Sequence, residues 1–174
     1  MIELRYPTLD DAEPLTVAVR ESLRELEPWM EWASDAYDVE LARRWIGDQL
    51  THRESGTAFE FLITSAAGLI LGACGINRIS PPPLRLANLG YWVRTSASGK
   101  GIAPEAARRV AEWAFSNTDL VRLEIVTAVG NERSLRVAEK AGGQFEGVLR
   151  ARLWTRGPQD ARMYSLIRPP TSTD

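Results

Sequence analysis

The chain has 174 residues, with 21 Lys and Arg against 23 Asp and Glu, so its formal net charge is −2. This length favours one domain, and 44% hydrophobic with 25% charged residues is typical of a globular protein. One Cys and one His argue against a disulfide framework, the usual zinc site and Ser-His-Asp or Cys-His hydrolases, and the near-neutral charge argues against nucleic-acid binding.

The first half of the chain predicts one strand, two helices and three further strands. Its charged start is unlike a secretion signal, and residues 2–6 have a strand pattern. A helix is predicted from Asp10 or Asp11 to about Leu26. A second helix follows Trp32, because one face collects Ala42, Trp45, Ile46, Gln49 and Leu50. Strands are predicted at 59–64, 69–77 and 86–94.

The second half predicts two helices, a strand between them and a closing hairpin. The strongest helical pattern recurs at i, i+3, i+4 and i+7 through Ala103, Ala106, Ala107, Val110, Ala111, Ala114 and Phe115. A strand at 122–127, a helix at 131–141 and strands at 147–155 and 161–167 follow. An antiparallel meander joined to a strand–helix–strand crossover predicts an α+β fold.

We expect residues 1–168 to form one domain and residues 169–174 to be a disordered tail. No segment reaches the roughly 18 apolar residues that a membrane span requires, so we expect a cytoplasmic protein without membrane association.

Residues 98–104, Ser-Gly-Lys-Gly-Ile-Ala-Pro, join a strand to the strongest helix. Gly99 and Gly101 let the backbone amides turn inward, Lys100 adds a positive charge, and Pro104 suits a first helical turn. Free amides at a helix N-terminus bind anions. The segment fits neither a Walker loop nor a dinucleotide fingerprint. It predicts a phosphate-binding loop or, alternatively, a plain turn into a helix.

Further motifs accompany this loop in order. Leu89-Gly90-Tyr91-Trp92-Val93 precedes it, and Asn131-Glu132-Arg133-Ser134 and Glu139-Lys140-Ala141-Gly142-Gly143 follow it. The ordered set resembles the GNAT superfamily of acyl-CoA N-acyltransferases, in its ribosomal-protein (RimJ/RimL-type) branch. This resemblance implies a mixed sheet of about seven strands with helices on both faces, in which strands four and five splay apart.

The resemblance also implies acetyl-CoA as co-substrate, and no metal. The diphosphate would lie on the backbone of Ser98, Gly99, Lys100, Gly101, Ile102 and Ala103, and the pantetheine arm beside Trp92, Val93 and Arg94. Asn131 would hydrogen-bond the arm, and Ser134 would contact it and protonate the departing thiolate. The alternative for Ser134 is an ordinary serine in a helix capped by Asn131.

We expect Trp29, Trp32 and Tyr91 to line the acceptor site, although both tryptophans could instead hold a loop on the core. The general base stays unassigned, because Asn88 and Leu153 stand where relatives carry glutamate. Without a strong base, an α-amine of pKa about 7.7–8 is a better acceptor than a lysine of pKa about 10.4.

We therefore expect acetylation of a protein or peptide N-terminus. A small-molecule amine or another acyl-CoA is an alternative, and a non-catalytic acyl-CoA sensor is the alternative from another class. A homodimer is one option for the assembly.

Four other features are interpreted structurally. Cys74 is expected to be a buried small residue and His52 to lie at a helix end. Glu124 is expected to pair with Arg122 or Arg94. A solvated hairpin face, which could also guide the CoA 3′-phosphate, is predicted for Arg150, Arg152, Arg156 and Arg162.

Overall fold

Seven strands form one mixed sheet in the computed structural model, which describes residues 2–170. The strands are β1 Ile2–Arg5, β2 Phe59–Ser65, β3 Ile70–Asn77, β4 Leu86–Val93, β5 Arg122–Ala128, β6 Gln144–Trp154 and β7 Pro158–Ile167. Their spatial order is β1-β2-β3-β4-β5-β7-β6. Strands β4 and β5 are parallel, and the other neighbouring pairs are antiparallel.

Four helices cover the sheet: α1 Ala12–Leu26, α2 Val39–Ser55, α3 Ile102–Asn117 and α4 Glu132–Lys140. Short 3₁₀ turns precede α1 at Leu9–Asp11 and α3 at Thr95–Ala97. Helix α2 begins at Val39 because the Asp38 carboxylate accepts a hydrogen bond from the Leu41 amide at 2.8 Å. It ends where Gly56 adopts a left-handed conformation.

The sheet separates two hydrophobic cores, because successive strand side chains point to opposite faces. On β2, Phe61 and Ile63 pack in the core with α3 and α4, whereas Leu62 packs in the core with α1 and α2. The helices thus lie on both faces, as predicted. Glu60 shares the parity of Leu62 and therefore belongs to the α1–α2 face.

Strands β4 and β5 diverge after only three paired residues on each strand. Their pairing runs from Leu86 to Asn88 on β4 and from Arg122 to Glu124 on β5. Strand β4 nevertheless continues to Val93 and β5 to Ala128. The prediction of a splay between strands four and five is confirmed, and it leaves backbone groups of β4 facing a gap.

The α+β prediction is confirmed, with small differences in the hairpin. Strands β6 and β7 each begin three residues earlier than expected, at Gln144 and Pro158. The pairing shifts between Phe145 and Gly147, so this bulge interrupts the alternation that sequence patterns depend on.

The predicted C-terminal tail, residues 169–174, lies mostly outside the described residues. Pro169 and Pro170 have no regular secondary structure, and residues 171–174 lie outside the described residues. Among residues 2–170, no helix combines the length and apolarity needed to cross a bilayer.

Candidate active site

The glycine loop between β4 and α3 has free backbone amides. Gly99 and Gly101 have φ values of +77° and +76°, a left-handed region that favours glycine. A Cβ at either position would meet no atom within 4 Å, so this side of the loop is open. Within residues 2–170, no hydrogen bond engages the amides of Gly99, Lys100, Gly101, Ile102 and Ala103. The loop can therefore hold an anion such as a diphosphate.

Helix α1 anchors the start of this loop. The Glu21 carboxylate pairs with the Arg94 guanidinium and accepts a hydrogen bond from the Ser96 amide at 2.9 Å. The Ser22 hydroxyl accepts from the Thr95 amide at 3.1 Å. Hydrogen bonds from Arg94 and Ser96 lower the pKa of Glu21 to about 2, so the carboxylate is charged at neutral pH. The loop is thus tied to α1 by charged and neutral hydrogen bonds.

A cavity of about 540 Å³ opens at the splay, and we call it the gap cavity. The C-terminal end of α1, the end of β4, the glycine loop and the first turn of α4 line it. It brings together many residues predicted from sequence: Trp29, Tyr91, Trp92, Val93, Ser98, Ala103, Asn131 and Ser134. Six of the predicted cofactor residues therefore line one cavity, whereas Arg94, Gly99, Lys100, Gly101 and Ile102 are not part of its lining.

The backbone of β4 faces this gap at alternate residues. The Arg94 amide donates to the Leu71 carbonyl of β3 at 2.7 Å. Peptide groups alternate in direction along a strand, so those of Tyr91 and Val93 point away from β3, toward the gap. The Arg94 carbonyl also accepts from Ala97. Both backbone groups of Arg94 therefore have hydrogen-bond partners within the chain, and its contact with a cofactor stays a prediction.

Three hydroxyl groups meet beside the gap cavity. Ser134 Oγ lies 3.0 Å from Thr127 Oγ1 and 3.2 Å from Tyr91 Oη. Tyr91 Oη also donates to the Ser134 carbonyl at 3.0 Å. Burial raises the pKa of Tyr91 above its usual value, so the phenol keeps its proton. We call Tyr91, Thr127 and Ser134 the hydroxyl cluster; it can deliver a proton to a leaving group in the gap.

Asn131 caps helix α4 through its side-chain oxygen, which leaves its side-chain nitrogen available as a donor. Its Oδ1 accepts from the Ser134 amide at 3.1 Å, which places Ser134 in the first turn. The Asn131 amide nitrogen makes no hydrogen bond to any residue from 2 to 170. Capping and ligand binding are therefore compatible for this side chain.

A second cavity of about 600 Å³ lies on the other side of β4, between the sheet and α1 and α2; we call it the α1–α2 cavity. Its walls are aromatic and acidic, formed by Glu31, Trp32, Tyr37, Arg44, Trp45, Asp48, Glu60 and Trp92, among others. The two cavities share Met30, Tyr91 and Trp92, so they meet at β4.

Glu60 ends a chain of polar side chains in the α1–α2 cavity. Its Oε1 accepts a hydrogen bond from the side-chain Nδ2 of Asn77 at 3.0 Å. Asn77 Oδ1 in turn accepts one from the side-chain Nδ2 of Asn88 at 3.1 Å. Burial raises the pKa of Glu60 to about 7, although the Asn77 hydrogen bond acts in the opposite direction. This carboxyl group can therefore exchange a proton near neutral pH.

The structure separates the two tryptophans that were grouped together from sequence. Trp29 lines the gap cavity and packs 3.6 Å from where Gly130 would carry a Cβ. Trp32 lines the α1–α2 cavity, with its ring 6.1 Å from that of Trp92. Tyr91 lines both cavities.

The structural interpretations of other residues are confirmed where the described chain shows them. Cys74 is buried, and His52 lies in the last turn of α2. Glu124 accepts from Arg122 at 2.8 Å. The hairpin arginines Arg150, Arg152 and Arg156 are exposed, Arg162 is half-buried, and Arg156 pairs with Glu27.

Sequence reasoning missed Glu60, Glu21 and Thr127. Glu60 carried a readable signal, since it is a lone carboxylate between Phe59 and Phe61 on a predicted strand. Nothing in the sequence connects Glu21 to Arg94, which lies 73 residues further along the chain.

Comparison with known proteins identifies the fold and its relatives. A family model described as "Acetyltransferase (GNAT) domain" matches residues 2–144. The chain is 31% identical over 139 residues to the "Probable N-acetyltransferase YjcK" of Bacillus subtilis (strain 168), covering 79% of this chain and 77% of that relative. It is 26% identical over 167 residues to the "Ribosomal-protein-serine acetyltransferase" of Escherichia coli (strain K12), covering 95% and 92%.

A solved structure also has this architecture. The microcin C7 self-immunity acetyltransferase MccE, in complex with acetyl-CoA and AMP, superposes with a TM-score of 0.87 and 26% identity, covering 95% of this chain and 92% of that one. The relatives and structural neighbours are N-acetyltransferases.

Proposed function

The chain belongs to the GNAT acetyltransferase family, and from that premise we propose that it transfers an acetyl group from acetyl-CoA directly to the N-terminal α-amine of a protein or peptide. The observation that carries this proposal is the gap cavity, with the open glycine loop and the hydroxyl cluster on its walls. It offers an anion site and a proton donor in one enclosure.

The residues of the gap cavity suit acetyl-CoA. The free amides of the glycine loop would bind its diphosphate, and Lys100 adds a positive charge. The gap-facing peptide groups of Tyr91 and Val93 would pair with the pantetheine arm as an added strand does. The Asn131 amide would donate to the same arm. Bound acetyl-CoA supplies the acetyl group as a thioester.

Two kinds of group in the gap can assist the transfer. An N–H of β4 that faces the gap would stabilise negative charge on the acetyl oxygen. The Ser134 hydroxyl would donate its proton to the departing sulfur, and Thr127 and Tyr91 hold that hydroxyl in place. Ser134 is thus the proposed general acid.

The α1–α2 cavity suits a cationic acceptor. Its lining carries Glu31, Asp48 and Glu60 against one arginine, Arg44. An ammonium group is attracted to such a site, while Trp32 and Trp92 offer aromatic surfaces beside it. The name of the Escherichia coli relative, a ribosomal-protein-serine acetyltransferase, supports a protein acceptor.

A second candidate function is transfer to a small-molecule amine. The α1–α2 cavity of about 600 Å³ lies within the usual range for small ligands. The related MccE structure is a complex with both acetyl-CoA and AMP. This candidate keeps the same cofactor site and changes only the acceptor.

A thiol-release assay tests the proposal. Acetyl-CoA would be offered with N-terminal peptide libraries, free amino acids and polyamines in parallel. We expect CoA release with peptides, and mass spectrometry should place the acetyl group on the α-amine. Release with small amines alone would favour the second candidate. Tight binding of acetyl-CoA without release from any amine would indicate a sensor and contradict the proposal.

A further inference from the structure

We propose that Glu60 is the general base of the transfer, accepting the proton of the acceptor nitrogen as that nitrogen bonds to the acetyl carbon. This inference rests on the proposed function. It assigns to a residue of β2 a role that the sequence left open.

Glu60 lies in a cross-strand row with two glycines, Gly75 and Gly90, and this row ends at β4, where the two cavities meet. Glu60 pairs with Gly75, and Gly75 pairs with Gly90 on β4. A Cβ at Gly75 would lie 2.3 Å from Glu60 Oε2, so the carboxyl group occupies the space that this glycine leaves. Strands are about 4.8 Å apart, so an amine above Gly90 would lie within reach of Glu60, directly or through one water.

The polar chain behind Glu60 fixes its orientation. Asn77 donates to one carboxylate oxygen at 3.0 Å and is itself held by Asn88 at 3.1 Å. Through Asn77, the Asn88 side chain of β4 thus supports a carboxylate that lies on the same face of the sheet, two strands away. A base held this way keeps its second oxygen for the acceptor.

The surroundings of Glu60 are mixed in charge. The α1–α2 cavity that Glu60 lines also contains Glu31 of the loop after α1 and Arg44 and Asp48 of α2, while α1 contributes the apolar Leu15 and Val19. Burial holds its pKa at about 7. A base with a pKa near the working pH is well matched to proton transfer.

Glu124 is the competing carboxylate on this face of the sheet. It lies opposite Asn88 in the β4–β5 pairing, but its Oε1 accepts from Arg122 at 2.8 Å. Arg122 also pairs with Glu146. Glu124 is therefore committed to an ion-pair network, whereas Glu60 faces a neutral amide.

The amine nitrogen attacks the acetyl carbon, an N–C bond forms and the C–S bond breaks. Glu60 takes one proton from the nitrogen, and Ser134 donates one proton to the sulfur. The products are the acetylated amine and the CoA thiol; Glu60 then releases its proton to solvent, and Ser134 regains one from solvent.

The test compares Glu60→Gln with Glu60→Asp and with Glu124→Gln as the matched carboxylate control. Gln can still accept the Asn77 hydrogen bond, so the fold and the Kd for acetyl-CoA should be unchanged. We expect kcat to fall by about 10²–10⁴-fold in Glu60→Gln, and Glu60→Asp to recover part of that loss. Glu124→Gln should stay within about threefold of the wild type.

The pH profile of kcat/KM distinguishes a proton-transfer role of Glu60 from a purely structural one, because only the former changes the slope of the profile. Glu60 must be deprotonated to act, so its contribution is lost as the pH falls through about 7. The acceptor amine must also lose a proton, with a pKa of about 7.7–8. The acidic limb of log kcat/KM should have a slope near 2 in the wild type and near 1 in Glu60→Gln.

Three results would overturn this assignment. The first is a Glu60→Gln enzyme whose kcat and pH slope equal those of the wild type, and the second is a Glu60→Gln enzyme in which only the acceptor KM changes. The third is a loss of kcat in Glu124→Gln and not in Glu60→Gln. Failure of the proposed function is distinguishable, because then the wild-type chain itself would release no CoA with any amine.

Discussion

The two sides of β4 are built in different ways. The gap cavity is lined mainly by three short stretches of chain, at 24–30, 91–98 and 130–137. The α1–α2 cavity draws its polar groups from α2, the preceding loop and three strands. The proposed cofactor side is therefore built from a few continuous stretches, and the proposed acceptor side from side chains scattered along the chain. Substitutions on the two sides should have separable kinetic effects.

The largest effect is expected at the hydroxyl cluster. Ser134→Ala removes the proposed proton donor, so kcat at saturating acetyl-CoA should fall by about 10²–10⁴-fold while the Kd for acetyl-CoA changes little. Ser80→Ala, a serine in the β3–β4 connection, serves as the control. A full-speed Ser134→Ala enzyme would reduce Ser134 to a residue of the first helical turn.

The next effect is expected at the glycine loop. Changing Gly99 and Gly101 together to Ala places side chains at left-handed positions and on the open side of the loop. We expect the Kd for acetyl-CoA, measured by calorimetry, to rise by about 10- to 100-fold, through strain of about 1 kcal/mol per site and loss of amide contacts. Gly68→Ala is the matched control, since Gly68 has a φ of +80° in the β2–β3 turn. Equal Kd values in both variants would argue for a plain turn.

Substitutions of Trp32 and Trp29 should each raise the KM of a different substrate, by an intermediate factor. Trp32→Ala should raise the acceptor KM by about tenfold, as expected for loss of an aromatic contact, and leave the acetyl-CoA KM unchanged. Trp29→Ala should do the reverse, because Trp29 lines the gap cavity. Steady-state kinetics with Trp154→Ala, an exposed hairpin residue, provides the baseline. The same KM change in both variants would contradict the division into two sides.

The smallest effect concerns the anchor of the loop on α1. The pKa of Glu21 is lowered to about 2 in the folded chain, from an ordinary value of 4.5. Its ion pair with Arg94 therefore stabilises the fold fully above pH 4.5 and loses that effect as the pH falls toward 2.

Urea unfolding measures this contribution. Glu21→Gln should cost about 0.2–1 kcal/mol at pH 7, because Glu21 is exposed, and the difference from the wild type should shrink below pH 4. Glu13→Gln, at the other end of α1, is the control. A stability difference that stays constant from pH 7 to pH 2.5 would show that the charge of Glu21 plays no part.

Local pattern was enough to predict most of the fold and the position of the glycine loop before α3. The apolar stripe of α3 is set by residues three and four positions apart, and the left-handed turn before it is set by Gly99 and Gly101 themselves. Both features can therefore be predicted from short stretches of sequence. The splay of β4 and β5 followed from a resemblance, and the pairing that stops at Asn88 confirms it.

The acceptor side depends on contacts that sequence spacing does not encode. Glu60 acquires its surroundings from Asn77, 17 residues away, and from the missing side chain of Gly75. Trp29 and Trp32 are three residues apart, yet they line different cavities. Such assignments need the strand register and the packing of α1 and α2 on the sheet.

A crystal structure of the chain with bound acetyl-CoA tests the central claim most directly. The account predicts the diphosphate on the amides of residues 99–103 and the thioester sulfur between β4 and β5, within hydrogen-bond distance of Ser134 Oγ. Coenzyme bound in the α1–α2 cavity, or with its sulfur remote from Ser134, would contradict it.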